Sequence, residues 1–166
     1  RCPWALDLSH KPFPGRGTNP DTLKLGGWYW ESGFDHDPFE KSEYIRDWNF
    51  RAAYGAWDAL KNVDKLYPNH KIDWIGYISG KRESRRLLGP VVVTGTALRQ
   101  EHVWDDGCVV MTRGIDLHDP HSRFNEGFEG DAFISHADIA RYPTPAWLPY
   151  RMLYSRNTDN LFMAGR

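Results

Sequence analysis

Between Ser42 and Asn62 the apolar side chains Ile45, Trp48, Ala52, Ala56 and Ala59 recur at intervals of three and four, which is the period of one buried helix face. Ser42 is placed to cap the start of that helix. Ala53, Trp57 and Leu60 widen the stripe beyond what a water-exposed helix carries, so the helix is expected to lie against a sheet. Elsewhere prolines and glycines interrupt the chain too often for a second helix of this length.

Residues 1–27 hold Pro3, Pro12, Pro14, Pro20 and four glycines, and read as a loop or extended arm. Trp28 to Ser32 reads as a short aromatic strand, followed by turn residues from Gly33 to Pro38. Ile72 to Ser79 has the β-branched and aromatic content of a second strand, and Arg86 to Thr94, with Val91 to Val93 at its centre, of a third. Cys108 to Thr112 is a fourth. Thr96 to Glu101 is expected to form a short helix capped by Thr96, and Asp116 to Asp131 a polar loop. Ser135 to Tyr142 reads as one or two helical turns. Tyr150 to Tyr154 and Asn160 to Ala164 read as two short strands joined by a turn. The fold class that accommodates these elements is α+β, a mainly antiparallel sheet packed by one long helix, with long loops.

Twenty-one Lys and Arg against 22 Asp and Glu give a net charge of −1, so no global basic field holds a polyanion, and nucleic acid is not an expected partner. No apolar run reaches the roughly 20 residues of a spanning helix, and no membrane partner is expected. The first residues lack the apolar core of a signal peptide, and the compartment stays open between cytoplasmic and exported. Cys2 and Cys108 match no zinc spacing. Eight Trp, eight Tyr and eight Phe make 14% of the chain aromatic, a content that cores and sugar-binding surfaces share.

Three groups of residues carry candidate chemistry. Arg82, Arg85 and Arg86 offer guanidinium forks suited to an anionic group, against the plainer reading of a solvated face with local ion pairs. His118 is suited to proton exchange near neutrality, against a histidine that merely caps a turn. Asp116, His118, Asp119 and His121 mix imidazole and carboxylate as metal ligands do, but Pro120 and the spacing set no ligand geometry, and no metal is expected. Asp35, His36 and Asp37 read as turn residues. Gly15-Arg-Gly17 lacks the strand and helix that a dinucleotide-binding loop needs.

The closing run Asn160-Leu-Phe-Met-Ala-Gly-Arg166 resembles the segment by which glutathione-reductase-like flavoproteins return to their FAD-binding domain. With Lys81-Arg-Glu-Ser-Arg-Arg-Leu-Leu-Gly89, Gly114-Ile-Asp-Leu-His-Asp-Pro120 and Leu148-Pro-Tyr-Arg151 in that order, residues 28–166 resemble the bacterial FAD-dependent oxidoreductase family. The resemblance implies FAD as cofactor, an unknown, anionic-type small-molecule substrate and an FAD-binding domain elsewhere in the same chain as partners. It implies catalytic roles for His118, Arg85 and Arg86, cofactor contacts from Gly165, Arg166 and Arg151, and substrate contacts from Arg82 and Tyr150. The expected organisation is an arm at 1–27, a substrate-side domain at 28–155, and the start of the return to the FAD-binding domain at 156–166. With no Gly-x-Gly-x-x-Gly loop and no initiator Met, the chain reads as an internal piece, inactive alone. The alternatives are a carbohydrate-binding module using Trp28, Tyr29, Trp30 and Trp104, and a metal-dependent hydrolase using Asp116, His118 and His121.

Overall fold

The computed structural model describes residues 2–17, 30–80, 85–126, 130–142 and 145–165. It divides into two compact units, one of residues 1–81 with 118–137, the other of residues 82–117 with 138–166.

The first unit is built on helix α1, Ser42–Asp58, which continues as a π-helical turn over Ala59–Val63. Ile45, Trp48, Ala52 and Ala56 are buried along one face, as their spacing requires. Much of the cover over that face comes from the proline-rich arm, whose Leu6, Leu8 and Phe13 join the same core as Phe133 and Ile134. The arm has no regular secondary structure yet is firmly seated, because Leu6 N–H donates to Arg51 O at 3.1 Å. The helix ends where Asp64 N–H reaches back five residues to Ala59 O, and Lys65 takes a left-handed φ of 56°. Helix α3, Ser122–Asn125, lies later in this unit.

The second unit contains strand β1, Gly107–Met111, paired antiparallel with β4, Ala146–Pro149. Val109 faces Leu148 and Met111 faces Ala146, and the register shifts between Gly107 and Val109. A 3₁₀ turn, Tyr150–Met152, follows β4 directly. Helix α2, Gly95–Arg99, is capped by Thr94, whose Oγ1 accepts from Ala97 N–H at 3.2 Å. Strands β2, Ile115–Pro120, and β3, Ser135–Ala140, form a second two-stranded sheet, and the division between the units falls within both strands.

The α+β class with one long helix is what the sequence predicts. Several individual elements differ. Ile72 to Ser79 is no strand, because β-branched content forms one only with a partner ladder, and its backbone has no backbone hydrogen bond among the described residues. Arg86 to Thr94 forms no strand either: at Gly89 a Cβ would lie 2.6 Å from Arg151 O, and Pro90 has no N–H to pair. The expected loop at Asp116 becomes β2 and the expected helical turns at Ser135 become β3, because the two segments pair with each other. The terminal strand pair shrinks to one bridge, Tyr154 to Phe162, with Met163 N–H donating to Leu153 O at 2.7 Å. The α2 cap is Thr94, two residues before the expected Thr96. Trp28 and Tyr29 lie outside the described residues, and Trp30 makes a single bridge to Ile134. Among the described residues no helix is long and apolar enough to cross a membrane.

Candidate functional site

In the first unit, the bridge between Trp30 and Ile134 fixes the backbone around Glu31, whose N–H donates to Phe133 O at 3.1 Å. That places the Glu31 carboxylate against His118 of β2, with Oε2 2.7 Å from Nδ1. Both side chains are about three-quarters covered, at 22% and 26% exposure. A carboxylate at that distance accepts the Nδ1 proton, which holds the ring in one orientation and puts the exchangeable proton or lone pair on Nε2. Beyond it, His121 donates its backbone N–H to Ile134 O at 3.0 Å and packs edge-on to Phe124 and His136. The buried His121 Nδ1 has no hydrogen-bond partner among the described residues.

A second carboxylate–imidazole pair joins His36 Nε2 to Asp131 Oδ2 at 2.9 Å. Asp131 also accepts a hydrogen bond from Tyr44, which pushes the phenol pKa above its ordinary value, with burial adding to the effect. Trp48 Nε1–H donates to Asp131 O at 3.0 Å, and Gly130, with φ 109°, leaves the indole the room that a Cβ would take. The turn reading of Asp35 to Asp37 stands locally, since His36 N–H donates to Gly33 O and Asp37 Oδ1 accepts from Phe39 and Glu40. The partner of His36 lies 95 residues away, and no local pattern announces it.

In the second unit, Arg151 is held by two aspartates. Its Nε donates to Asp106 Oδ2 at 2.9 Å and its Nη2 to Asp105 Oδ1 at 2.6 Å and Asp106 Oδ1 at 2.8 Å. The Asp106 carboxylate also accepts Arg151 N–H at 2.9 Å. These hydrogen bonds hold Asp106 well below the usual carboxylate range and raise Arg151 further. Tyr150 is exposed, with its ring near Tyr154 and Phe162. Arg85 and Arg86 are exposed, and the segment after them docks beside Arg151, with Arg156 N–H on Leu88 O at 2.9 Å and Val91 N–H on Arg151 O at 3.4 Å. Gly165 is exposed at φ 126°, with nothing within 4 Å of where a Cβ would stand. Arg82 and Arg166 lie outside the described residues.

The residues of the alternative readings have other partners. Asp116 pairs with Arg113 at 3.3 Å, and His118 with Glu31. Trp30 is half-buried between Phe13 and Phe133, and Trp104 lies edge-on to His102 rather than in a flat aromatic row.

The family model described as FAD dependent oxidoreductase matches residues 7–166. No curated protein and no solved structure gives a match.

Proposed function

Since the chain belongs to the FAD-dependent oxidoreductase family, whose cofactor is FAD, we propose that these residues form the substrate side of the enzyme, on the glutathione-reductase-like plan, with His118 exchanging a proton with the substrate. The observation that carries this reading is the 2.7 Å contact between Glu31 and His118 Nδ1. Glu31 fixes the tautomer and ring orientation, so that a proton moves at Nε2 without reorganisation of the imidazole. The partial cover of both side chains limits the water that competes for it. Within the second unit taken by itself, Arg85 and Arg86 are the exposed guanidinium groups proposed to meet an anionic group, and Tyr150 is exposed next to Arg151.

The described residues do not fit the nucleotide end of FAD. α1 is the one long helix among them, and it opens among Asp37, Glu40 and Glu43, whose carboxylates repel a pyrophosphate. Arg151 already lies on two carboxylates. Gly165 keeps the open backbone that close approach of a cofactor needs, but so do Gly17 and Gly80, so openness by itself marks no cofactor site. Because the sequence also lacks a Gly-x-Gly-x-x-Gly loop, we propose that the pyrophosphate site lies outside these 166 residues.

Two measurements test the reading. After FAD is added and the solution desalted, the 166-residue chain should be nearly colourless, and stoichiometric yellow protein would overturn the assignment of the nucleotide site. In the full-length protein, donors are screened with an artificial electron acceptor. FAD-dependent oxidation should fall about 10²–10⁴-fold in His118→Asn at unchanged FAD content. An undiminished rate in that variant sinks the proton-exchange role.

A further inference from the structure

The first unit also contains a cleft of about 380 Å³ between α1 and the segment Ile75–Gly80, which the proposed proton chemistry does not use. Its volume lies at the small end of the roughly 300–1,000 Å³ typical of ligand sites, which sets the occupant at one or two rings. Ala52, Ala53 and Ala56 present only methyl groups along the helix and make a flat shelf. Trp30, Phe50 and Phe133 supply aromatic surface around it, suited to stacked or edge-on contact with a ring.

The facing lip is held to the helix at Tyr77, whose ring lies 6.4 Å from that of Phe50. Arg46 Nη1 donates to Tyr77 Oη at 2.8 Å, and the guanidinium carbon sits 4.5 Å from the centre of the Tyr77 ring. Arg46 is the one charged side chain on the lining, and its charge is already met, with Nε and Nη2 each 2.8 Å from Asp47 Oδ1 and Glu43 3.7 Å from Nη1. A ligand carboxylate or phosphate would meet a neutralised cation backed by two carboxylates. A ligand cation would displace Arg46 from them.

Hydrogen-bonding capacity does remain. Asn49 Oδ1 accepts from Ser32 Oγ at 2.6 Å, which leaves its Nδ2 donors for the cleft. The Ser79 hydroxyl and the backbone of Ile75–Gly80 form no hydrogen bond among the described residues. We propose that this cleft binds an uncharged, one- or two-ring aromatic molecule whose acceptor atom takes a hydrogen bond from Asn49 or Ser79. The site is independent of the role given to His118.

The test uses 2-naphthol as the neutral probe, with 2-naphthoate and 2-naphthylmethylammonium as charged counterparts, titrated calorimetrically into the 166-residue chain. The expected result is saturable binding of one 2-naphthol, with nuclear Overhauser contacts from the probe to the Ala52 and Ala53 methyl groups. Ala53→Phe, which fills the shelf, should weaken it by about tenfold or more. Binding of either charged probe as tight as that of 2-naphthol overturns the neutral-ligand assignment. Unsaturable binding, undiminished affinity in a natively folded Ala53→Phe, or probe contacts that avoid the two alanines overturns the site. Because the contacts are read in the unsubstituted chain, misfolding of the variant leaves the decision intact.

Discussion

The Arg16 guanidinium grips both oxygens of Asp64, with Nε 3.0 Å from Oδ2 and Nη2 2.9 Å from Oδ1. Its remaining N–H groups donate to Leu8 O, Lys11 O and Ser9 O at 2.6 to 2.8 Å. One side chain thereby ties the irregular arm to the residue that closes the π-turn, 48 positions away. Both side chains are about four-fifths covered, so screening by water is limited. Arg16→Ala should lower unfolding stability by about 2–4 kcal/mol, because a carboxylate and three carbonyls lose charged donors together. Arg16→Lys should recover less than half of that, since an ammonium cannot reproduce the fork. Urea titration of the three proteins measures both differences.

Gly55 provides a test of sign. In a solvent-exposed helix interior, Gly→Ala stabilises by about 0.5–1 kcal/mol. Here a Cβ would stand 2.2 Å from Leu6 O, which is backbone and cannot swing aside. Gly55→Ala should therefore destabilise, by about 1–3 kcal/mol, as the arm is pushed off α1. A stabilised variant in thermal unfolding would mean that the arm does not lie on the helix.

How much of this was legible beforehand follows from the range of each interaction. α1 was readable because its signal is a local period that burial then obeys at Ile45, Trp48, Ala52 and Ala56. β1 is legible from Cys108 to Met111 by its β-branched content and not by a burial period, since Cys108, Val109 and Val110 are all exposed. Ile72 to Ser79 and Ser135 to Tyr142 depart from the sequence expectation because strand identity depends on a partner, and the partner of β3 is β2, a segment with the composition of a loop. At the site, His118 stood out by its chemistry, whereas Glu31, 87 residues away, gave no signal of its own. Arg151 was picked out by a motif, and its aspartate partners, 45 and 46 residues earlier, appear only in the fold.

The Arg151 clamp predicts an acid response. Asp106 titrates near 3.9 when unfolded, and its hydrogen bonds from Arg151 depress that value in the folded state. A depressed carboxylate contributes stability that is present above the unfolded value and lost as pH falls through the folded one. Below about pH 4.5 the unfolded chain thus takes up a proton that the folded chain refuses. Asp106→Asn should lower stability at neutral pH and make the acid-side decline shallower, by up to one proton's share. Added salt should shrink the difference, because the pair is reached by solvent. Unfolding curves collected from neutrality into strong acid, with parallel slopes for the two proteins, would show that the clamp adds nothing.

Glu31 acts through His118, and its effect has a signature that simple loss of packing does not produce. With the carboxylate 2.7 Å from Nδ1, the neutral ring is held as the Nδ1–H tautomer. Glu31→Ala removes the acceptor, and the ring should relax toward the Nε2–H form that dominates in free imidazole side chains. Glu31→Gln keeps an amide oxygen able to accept the same proton and should restore the tautomer. Nitrogen-15 shifts of His118 report the difference directly, whatever the global stability does. On the proposed role of His118, FAD-dependent turnover should follow the tautomer, with Glu31→Ala losing part of the roughly 10²–10⁴-fold that a positioned proton donor contributes and Glu31→Gln losing less. Identical His118 nitrogen shifts in the unsubstituted chain and in Glu31→Ala would remove Glu31 from any positioning role.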